Sequence, residues 1–255
     1  MMERYNRTPI DGASAPTLSD LFERYSANTD GKEKIASYVN SLGRDNPGAL
    51  IIDLGAGDGR LTRYLLEGFN DVIAVERHPS FIPALAALPG VTPIASSIED
   101  FNPTRPFDIG LLSYSLSGIP KDRLQDTLDR LLLARKDGGR LLFVTYRDGC
   151  EWDQFADEVA AHLNLPRTGG LARHTKELND LGFHTEIIST LNTRIWSENS
   201  RSLYENLGFF FHKKISEYIN SADQLQPALE RLQSWDGRQM NLSVEESIVE
   251  IIPRR

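Results

Sequence analysis

The stretch Leu50-Ile51-Ile52-Asp53-Leu54-Gly55-Ala56-Gly57-Asp58-Gly59-Arg60 constrains this chain more than any other. An apolar run of that length, cut short by alternating glycines, predicts a buried parallel strand that turns into a helix. Glycines at 55, 57 and 59 admit positive φ and let a ligand come close to the backbone. The helix that follows carries Leu61, Tyr64 and Leu65 on one apolar stripe, and its first N–H groups face the turn. The turn is therefore a candidate ligand site.

A dinucleotide is the first ligand to weigh. Its turn reads G-x-G-x-x-G, with a third glycine where helix and strand pack closely. Here Arg60 holds that third position, the spacing is G-x-G-x-G, and Asp53 stands two residues ahead of the first glycine. A carboxylate at the strand end repels a pyrophosphate and suits an ammonium group. The pattern favours a nucleoside that carries a cationic amino-acid tail.

At this point the sequence resembles the class I S-adenosylmethionine-dependent methyltransferases. Their first motif is D-x-G-x-G-x-G after a strand, and Asp53 to Gly59 matches it at every fixed position. Residues 72–76 read as a second apolar strand ending in an acid, and Glu76 lies 21 residues beyond Gly55. A βαβ unit sets a ribose-binding carboxylate at about 20 residues, where one carboxylate can accept both O–H groups of the diol. Residues 91–95 resemble the third strand, and Ser97 then stands where the family usually places an Asp for the adenine amino group, with the Ile98 N–H able to reach the ring. Residues 107–114 resemble the fourth strand, which in the family ends beside the reacting sulfonium. Lys136-Asp137-Gly138-Gly139-Arg140 is similar to the family's K-P-G-G signature, with Asp in place of Pro.

The resemblance covers residues 49–146 well. It implies an α/β fold with a doubly wound, mostly parallel seven-stranded sheet (Rossmann-like), flanked by N-terminal helices and a C-terminal helical cover. It also implies S-adenosyl-L-methionine as cofactor and S-adenosyl-L-homocysteine as product. The cofactor contacts that follow are Tyr25, Asp53, Gly55, Gly57, Glu76, Arg77, Ser97, Ile98 and Ser113. For Tyr25, core packing is the competing role, and Arg24 or Lys32 could meet the methionine carboxylate instead. Arg77 either covers the adenine or points into water.

The rest of the chain divides around this unit. Residues 1–16 are polar, punctuated by Pro9, Gly12 and Pro16, and are expected to be mobile. Residues 17–46 form an N-terminal helical cover, with helices from Leu18 and over 31–42. Residues 47–255 form the methyltransferase-like domain. In it, helices are expected over 151–163, 174–181, 198–218 (with a break near Gly208) and 222–233, and strands over 183–194 and 243–252. The helices within about 197–240 exceed the minimal fold; in the resembled family such insertions cover the pocket and choose the substrate. The stripe Tyr204, Leu207, Phe211, Ile215 and Tyr218 faces the core by default; otherwise it roofs the pocket, with Trp152 and Trp196 adding to the wall.

Composition sets outer bounds. With 255 residues, 40% hydrophobic and 25% charged, the chain can bury a full core. The formal charge of −8 argues against tight non-specific binding of nucleic acid. The single Cys150 excludes an intramolecular disulfide, and no Cys/His spacing resembles a metal site. The sequence has no run of 18 apolar residues. Its start is unlike a signal peptide, so a cytoplasmic location is the expectation.

Methyl transfer needs little from side chains beyond alignment, so the acceptor is the hardest feature to read. Tyr114, His174 and His212 are the candidate proton acceptors, Tyr114 by its place after the fourth strand and His212 by the neighbouring Phe209, Phe210 and Phe211. Ser113-Tyr114-Ser115-Leu116 replaces the N-P-P-[YF] tetrapeptide of many enzymes that methylate nucleobase amines or glutamine amides. The expectation is transfer to O, N or C of a small, specialised-metabolite acceptor. A protein or RNA methyltransferase and a non-catalytic module of the same fold are the alternatives, and a homodimer through the N-terminal helices stays open.

Overall fold

The computed structural model describes residues 18–44, 46, 48–166 and 170–253, without the side chains of 18–20, 212 and 213. The expected mobile segment 1–16 lies outside the described residues. Helices α1 (Leu18–Ala27) and α2 (Gly31–Gly43) precede strand β1 (Leu50–Leu54). Then come α3 (Arg60–Leu65), β2 (Asp71–Glu76), α4 (Ile82–Ala86), β3 (Val91–Ala95) and β4 (Phe107–Ser113). A short 3-10 turn over Leu116–Gly118 leads to α5 (Lys121–Leu133), β5 (Arg135–Tyr146), α6 (Glu151–His162), α7 (Leu171–Asp180) and β6 (His184–Ser197). The last part holds α8 (Ser200–Leu207), a 3-10 segment Gly208–Lys214, α9 (Ile215–Asn220), α10 (Ala222–Leu232), β7 (Ser234–Trp235) and β8 (Met240–Ile252).

The sheet runs β3-β2-β1-β4-β5-β8-β6, with the two-residue β7 paired to β8 off that path. Neighbours from β3 to β5 are parallel, and β8 lies antiparallel between β5 and β6. This is the expected doubly wound, mostly parallel sheet of seven long strands. Pro93 sits in β3, the edge strand, where a missing donor is tolerated.

Strand alternation separates the two faces. Leu50, Ile52, Leu54, Phe143 and Val249 join a core layer with Leu124, Leu128 and Leu131 of α5 and Leu178 of α7. Ile51, Leu111, Val144 and Ile248 face the other way, onto Ile35 and Val39 of α2 and Leu61 and Leu65 of α3. Because successive side chains point to opposite faces, Asp53, Ser113 and Glu246 follow Ile51, Leu111 and Ile248 onto the α2–α3 side. A third core layer lies under the C-terminal helices and contains Trp152, Phe155, Tyr204, Leu207, Phe211 and Tyr218. The aromatic stripe therefore takes its core-facing role: Tyr204 and Tyr218 stack at 4.3 Å, and each hydroxyl donates to the other's backbone carbonyl. The break expected at Gly208 is the start of the 3-10 segment, kinked at Phe211. Among the described residues no helix is long and apolar enough to cross a membrane, and no cluster of ligating side chains could hold a metal.

Candidate functional site

The glycine turn is built as the sequence predicts. Gly55 and Gly57 have φ of +88° and +56°, and the N–H groups of Gly55 and Ala56 donate to the Val75 carbonyl at 2.8 and 3.0 Å. A Cβ on Gly55 would lie 2.7 Å from the Ser115 Cβ. Ser115 in turn donates its hydroxyl to the Leu54 carbonyl at 2.5 Å, so the loops after β1 and β4 are clasped together. Glu76 accepts from the Gly57 N–H at 2.8 Å and from the His78 N–H at 2.7 Å. The acid at the end of β2 thus braces the turn from behind.

Above the turn is a cavity of about 580 Å³, lined by the C-terminal ends of β1, β4 and β5, by α1 and α2, and by the 3-10 segment. It lies where the strand order reverses between β1 and β4, the place where open α/β sheets bind ligands. Asp53, only 1% exposed, forms part of its floor and accepts from the Thr62 hydroxyl at 2.6 Å. Burial pushes its carboxyl up to about 6, against the opposing pull of Thr62 and Lys32. Lys32 reaches in from α2, with Nζ 3.3 Å from Asp58 Oδ1 and 4.5 Å from the Phe22 ring centroid. Burial lowers its pKa, and Asp58 works in the opposite sense.

The far side of the cavity is aromatic. Tyr25 stacks on Phe209 at 5.6 Å and meets Phe210 edge-on at 4.8 Å, and Trp152 lies 4.2 Å from Phe210. Phe209 also approaches Phe22 at 4.9 Å, tying the cover to α1. Tyr114 follows β4 with φ of +57°, a conformation that costs a bulky residue energy and often marks a functional position. It is 40% exposed and lines the cavity. Burial raises its phenol pKa, with the neighbouring Glu246 carboxylate adding to the rise. Glu246 of β8 is 2% exposed and also lines the cavity. Burial lifts its carboxyl to about 7, while the hydroxyls of Tyr114 and Thr193 beside it act to lower it. Its Oε2 has no hydrogen-bond partner.

Of the residues singled out by sequence, the fold gathers Tyr25, Asp53, Gly55, Gly57, Ser113, Tyr114 and His174 around the cavity, together with Lys32. His174 is 7% exposed, its pKa is lowered by burial, and its Nδ1 lacks a partner. Glu76, Arg77, Ser97 and Ile98 stand off the wall. Ser97 caps a turn by accepting from the Asp100 N–H at 3.2 Å and donates to Asp100 Oδ2 at 2.8 Å, Ile98 is packed in the core, and Arg77 is exposed. The side chain of His212 lies outside the described residues. Arg24 is exposed and Trp196 packs beside Arg194, both away from the cavity, whereas Trp152 lines it.

Sequence reasoning misses Glu246 and Phe81 as site residues. Phe81 follows β2 and lines the rim, 6.3 Å from the Phe22 ring. Glu246 carries a legible signal: it is an acid between Val244 and Ile248 on the apolar parity of a strand.

No protein-family model matches the sequence, and neither does any curated protein. Solved structures do match by shape. The YcgJ protein from Bacillus subtilis is similar with a TM-score of 0.58 and 15% identity, over 86% of this chain and 98% of that one. A proposed type II methyltransferase from Anaeromyxobacter dehalogenans aligns with a TM-score of 0.55 and 18% identity, over 88% and 97%. A proposed sarcosine dimethylglycine methyltransferase from Galdieria sulphuraria aligns with a TM-score of 0.52 and 17% identity, over 87% and 84%. These likenesses, the strand order and the Asp53–Gly59 turn together show that the chain has the fold of the class I S-adenosylmethionine-dependent methyltransferases.

Proposed function

We propose that this chain is an S-adenosylmethionine-dependent methyltransferase acting on a small molecule. One observation carries the reading: the glycine turn opens into a cavity that holds a buried carboxylate, Asp53, and a half-buried ammonium, Lys32. That pairing suits a zwitterionic amino-acid end, its ammonium on Asp53 and its carboxylate on Lys32, with the Tyr25 hydroxyl as a second donor. Gly55 and Gly57 leave room for the chain of the ligand along the backbone. Glu76 uses one acceptor site of each oxygen, on the Gly57 and His78 N–H groups, and keeps others for a ribose diol. Ser97, Ile98 and Arg77 then flank the adenine from outside the wall, and His78 and Phe81 do so from the rim.

The cofactor supplies an activated methyl group, so the protein's task is to align a nucleophile at about 3 Å and exclude water. Trp152, Phe209 and Phe210 exclude it, and Ser113 and Tyr114 border the place where the two reactants meet. His174 also lines the cavity, and burial keeps its imidazole neutral, with Nδ1 free to meet a polar group of the acceptor. A compartment walled by aromatic rings and a net charge of −8 favour a small acceptor over RNA.

Calorimetry with S-adenosylmethionine and S-adenosylhomocysteine tests the reading. Binding by the wild type and a loss of tenfold or more in Asp53→Ala are expected. No heat at millimolar ligand would remove the proposal.

A further inference from the structure

Glu246 has no place in the cofactor reading, and it is unusual. It is a fully buried carboxylate in the middle of a sheet, between Tyr146 of β5 and Leu191 of β6. Its Oε1 lies 2.6 Å from where a Cβ on Gly31 would stand, so the first turn of α2 is shaped around it. Lys34, whose charge acts on Glu246, is itself bound at 2.9 Å to Asp30 and at 2.7 Å to the Asn192 carbonyl. The Tyr114 and Thr193 hydroxyls stand beside the carboxylate and Tyr25 is near it, but no cation pairs with it and Oε2 is left without a partner among the described residues. Buried charges are ordinarily paired, because an unpaired one loses its hydration for nothing. The wall around this one is ringed by Tyr25, Trp152 and Phe210, whose π faces attract cations.

Resting on the methyltransferase reading, we infer that Glu246 is the recognition group for an amine acceptor, whose ammonium completes the buried pair inside the aromatic compartment. The same carboxylate then takes the proton. An ammonium N–H bond breaks, a Glu246 O–H bond forms, and the electron pair stays on nitrogen as the nucleophile. A neutral hydroxyl or carbon acceptor has no charge to complete the pair, so amines are preferred over alcohols of the same skeleton.

The test uses the full chain saturated with S-adenosylhomocysteine and a panel of primary and secondary amines, each matched to its alcohol, phenethylamine and 2-phenylethanol among them. Calorimetry reports binding, and transfer of a labelled methyl group from S-adenosylmethionine reports turnover. Wild type is expected to bind amines at least tenfold tighter than their alcohols, and Glu246→Gln to lose that preference while its affinity for S-adenosylhomocysteine stays within twofold. Gly31→Ala, which pushes the carboxylate aside without removing it, is expected to weaken amine binding in the same direction. Retained amine preference in Glu246→Gln, methyl transfer to alcohols, or no amine bound by the wild type would each overturn the inference. Failure of the wild type to bind S-adenosylhomocysteine at all would instead strike the reading beneath it.

Discussion

Asp53 and Glu246 are two buried carboxylates that each await an ammonium group, one of the cofactor and one of the acceptor, and pH separates them. Asp53 has its carboxyl raised to about 6, so it is largely protonated at pH 5 and ionised at pH 7.5. An ammonium pairs with the ionised form, so affinity for S-adenosylhomocysteine should fall about tenfold per pH unit below 6. Calorimetry at pH 5 and 7.5 checks this, and Asp53→Asn should be weak and flat across the range. Glu246 carries a stability signature. Its native pKa of about 7 lies above the ordinary 4.5, so the folded chain holds a proton that the unfolded chain has released between those values. Stability therefore falls as pH rises through that window. Glu246→Gln should melt with wild type at pH 4 and above it at pH 8, by up to about 3 kcal/mol if the whole shift is realised. Equal melting at pH 8 would mean that Glu246 is not held in an unfavourable environment. Asp53 was legible in sequence because its motif lies within seven contiguous residues, with Asp53, Gly55, Gly57 and Gly59 fixed by one turn. Glu246 depends on pairing with β5 and β6, which lie far off in the chain, so only its parity hinted at it.

At the scale of elements, the glycine turn and the cover make separate predictions. Gly55 combines a left-handed φ with a Cβ position 2.7 Å from Ser115. Gly55→Ala should cost about 2 kcal/mol or more in urea unfolding, because strain in the left-handed region adds to the displaced β4 loop. The cover is fastened to α1 by Phe209, which touches Phe22 and Tyr25. Phe209→Ala should release S-adenosylhomocysteine about tenfold faster in stopped-flow dissociation, since a lost ring opens the roof while Asp53 and Lys32 still hold the amino-acid end. An unchanged off-rate would place the ligand's exit elsewhere. The elements themselves were largely legible, because apolar runs and glycine or proline punctuation mark them locally. The start of α7 at Leu171 rather than at 174, and the two-residue β7, were not. Helix ends follow capping and docking, and two residues carry no period to read. Which ring of the cover meets the cavity was also hidden. The 3-10 kink turns Phe209 and Phe210 toward it and buries Phe211, an orientation that helical spacing alone does not foresee.

For the molecule as a whole, the cavity joins parts that are otherwise held by different core layers. The glycine turn belongs to the sheet, α1 and α2 come from the N-terminal segment, and Trp152, Phe209 and Phe210 belong to the C-terminal cover. A ligand gripped at all three binds the native state alone and stabilises it by about 2.7 kcal/mol at a hundred times its Kd. For a chain of 255 residues, each kcal/mol moves the midpoint by about 2–4 °C, so saturating S-adenosylhomocysteine should raise it by roughly 5–10 °C. Calorimetric melting should show one transition that moves as a unit, because the ligand bridges sheet and cover. Asp53→Asn should lose most of the rise, since it removes the anchor in the sheet. Glu246→Gln should keep it, since its carboxylate faces the acceptor. A rise confined to one of two resolved transitions would show instead that the sheet holds the ligand without the cover.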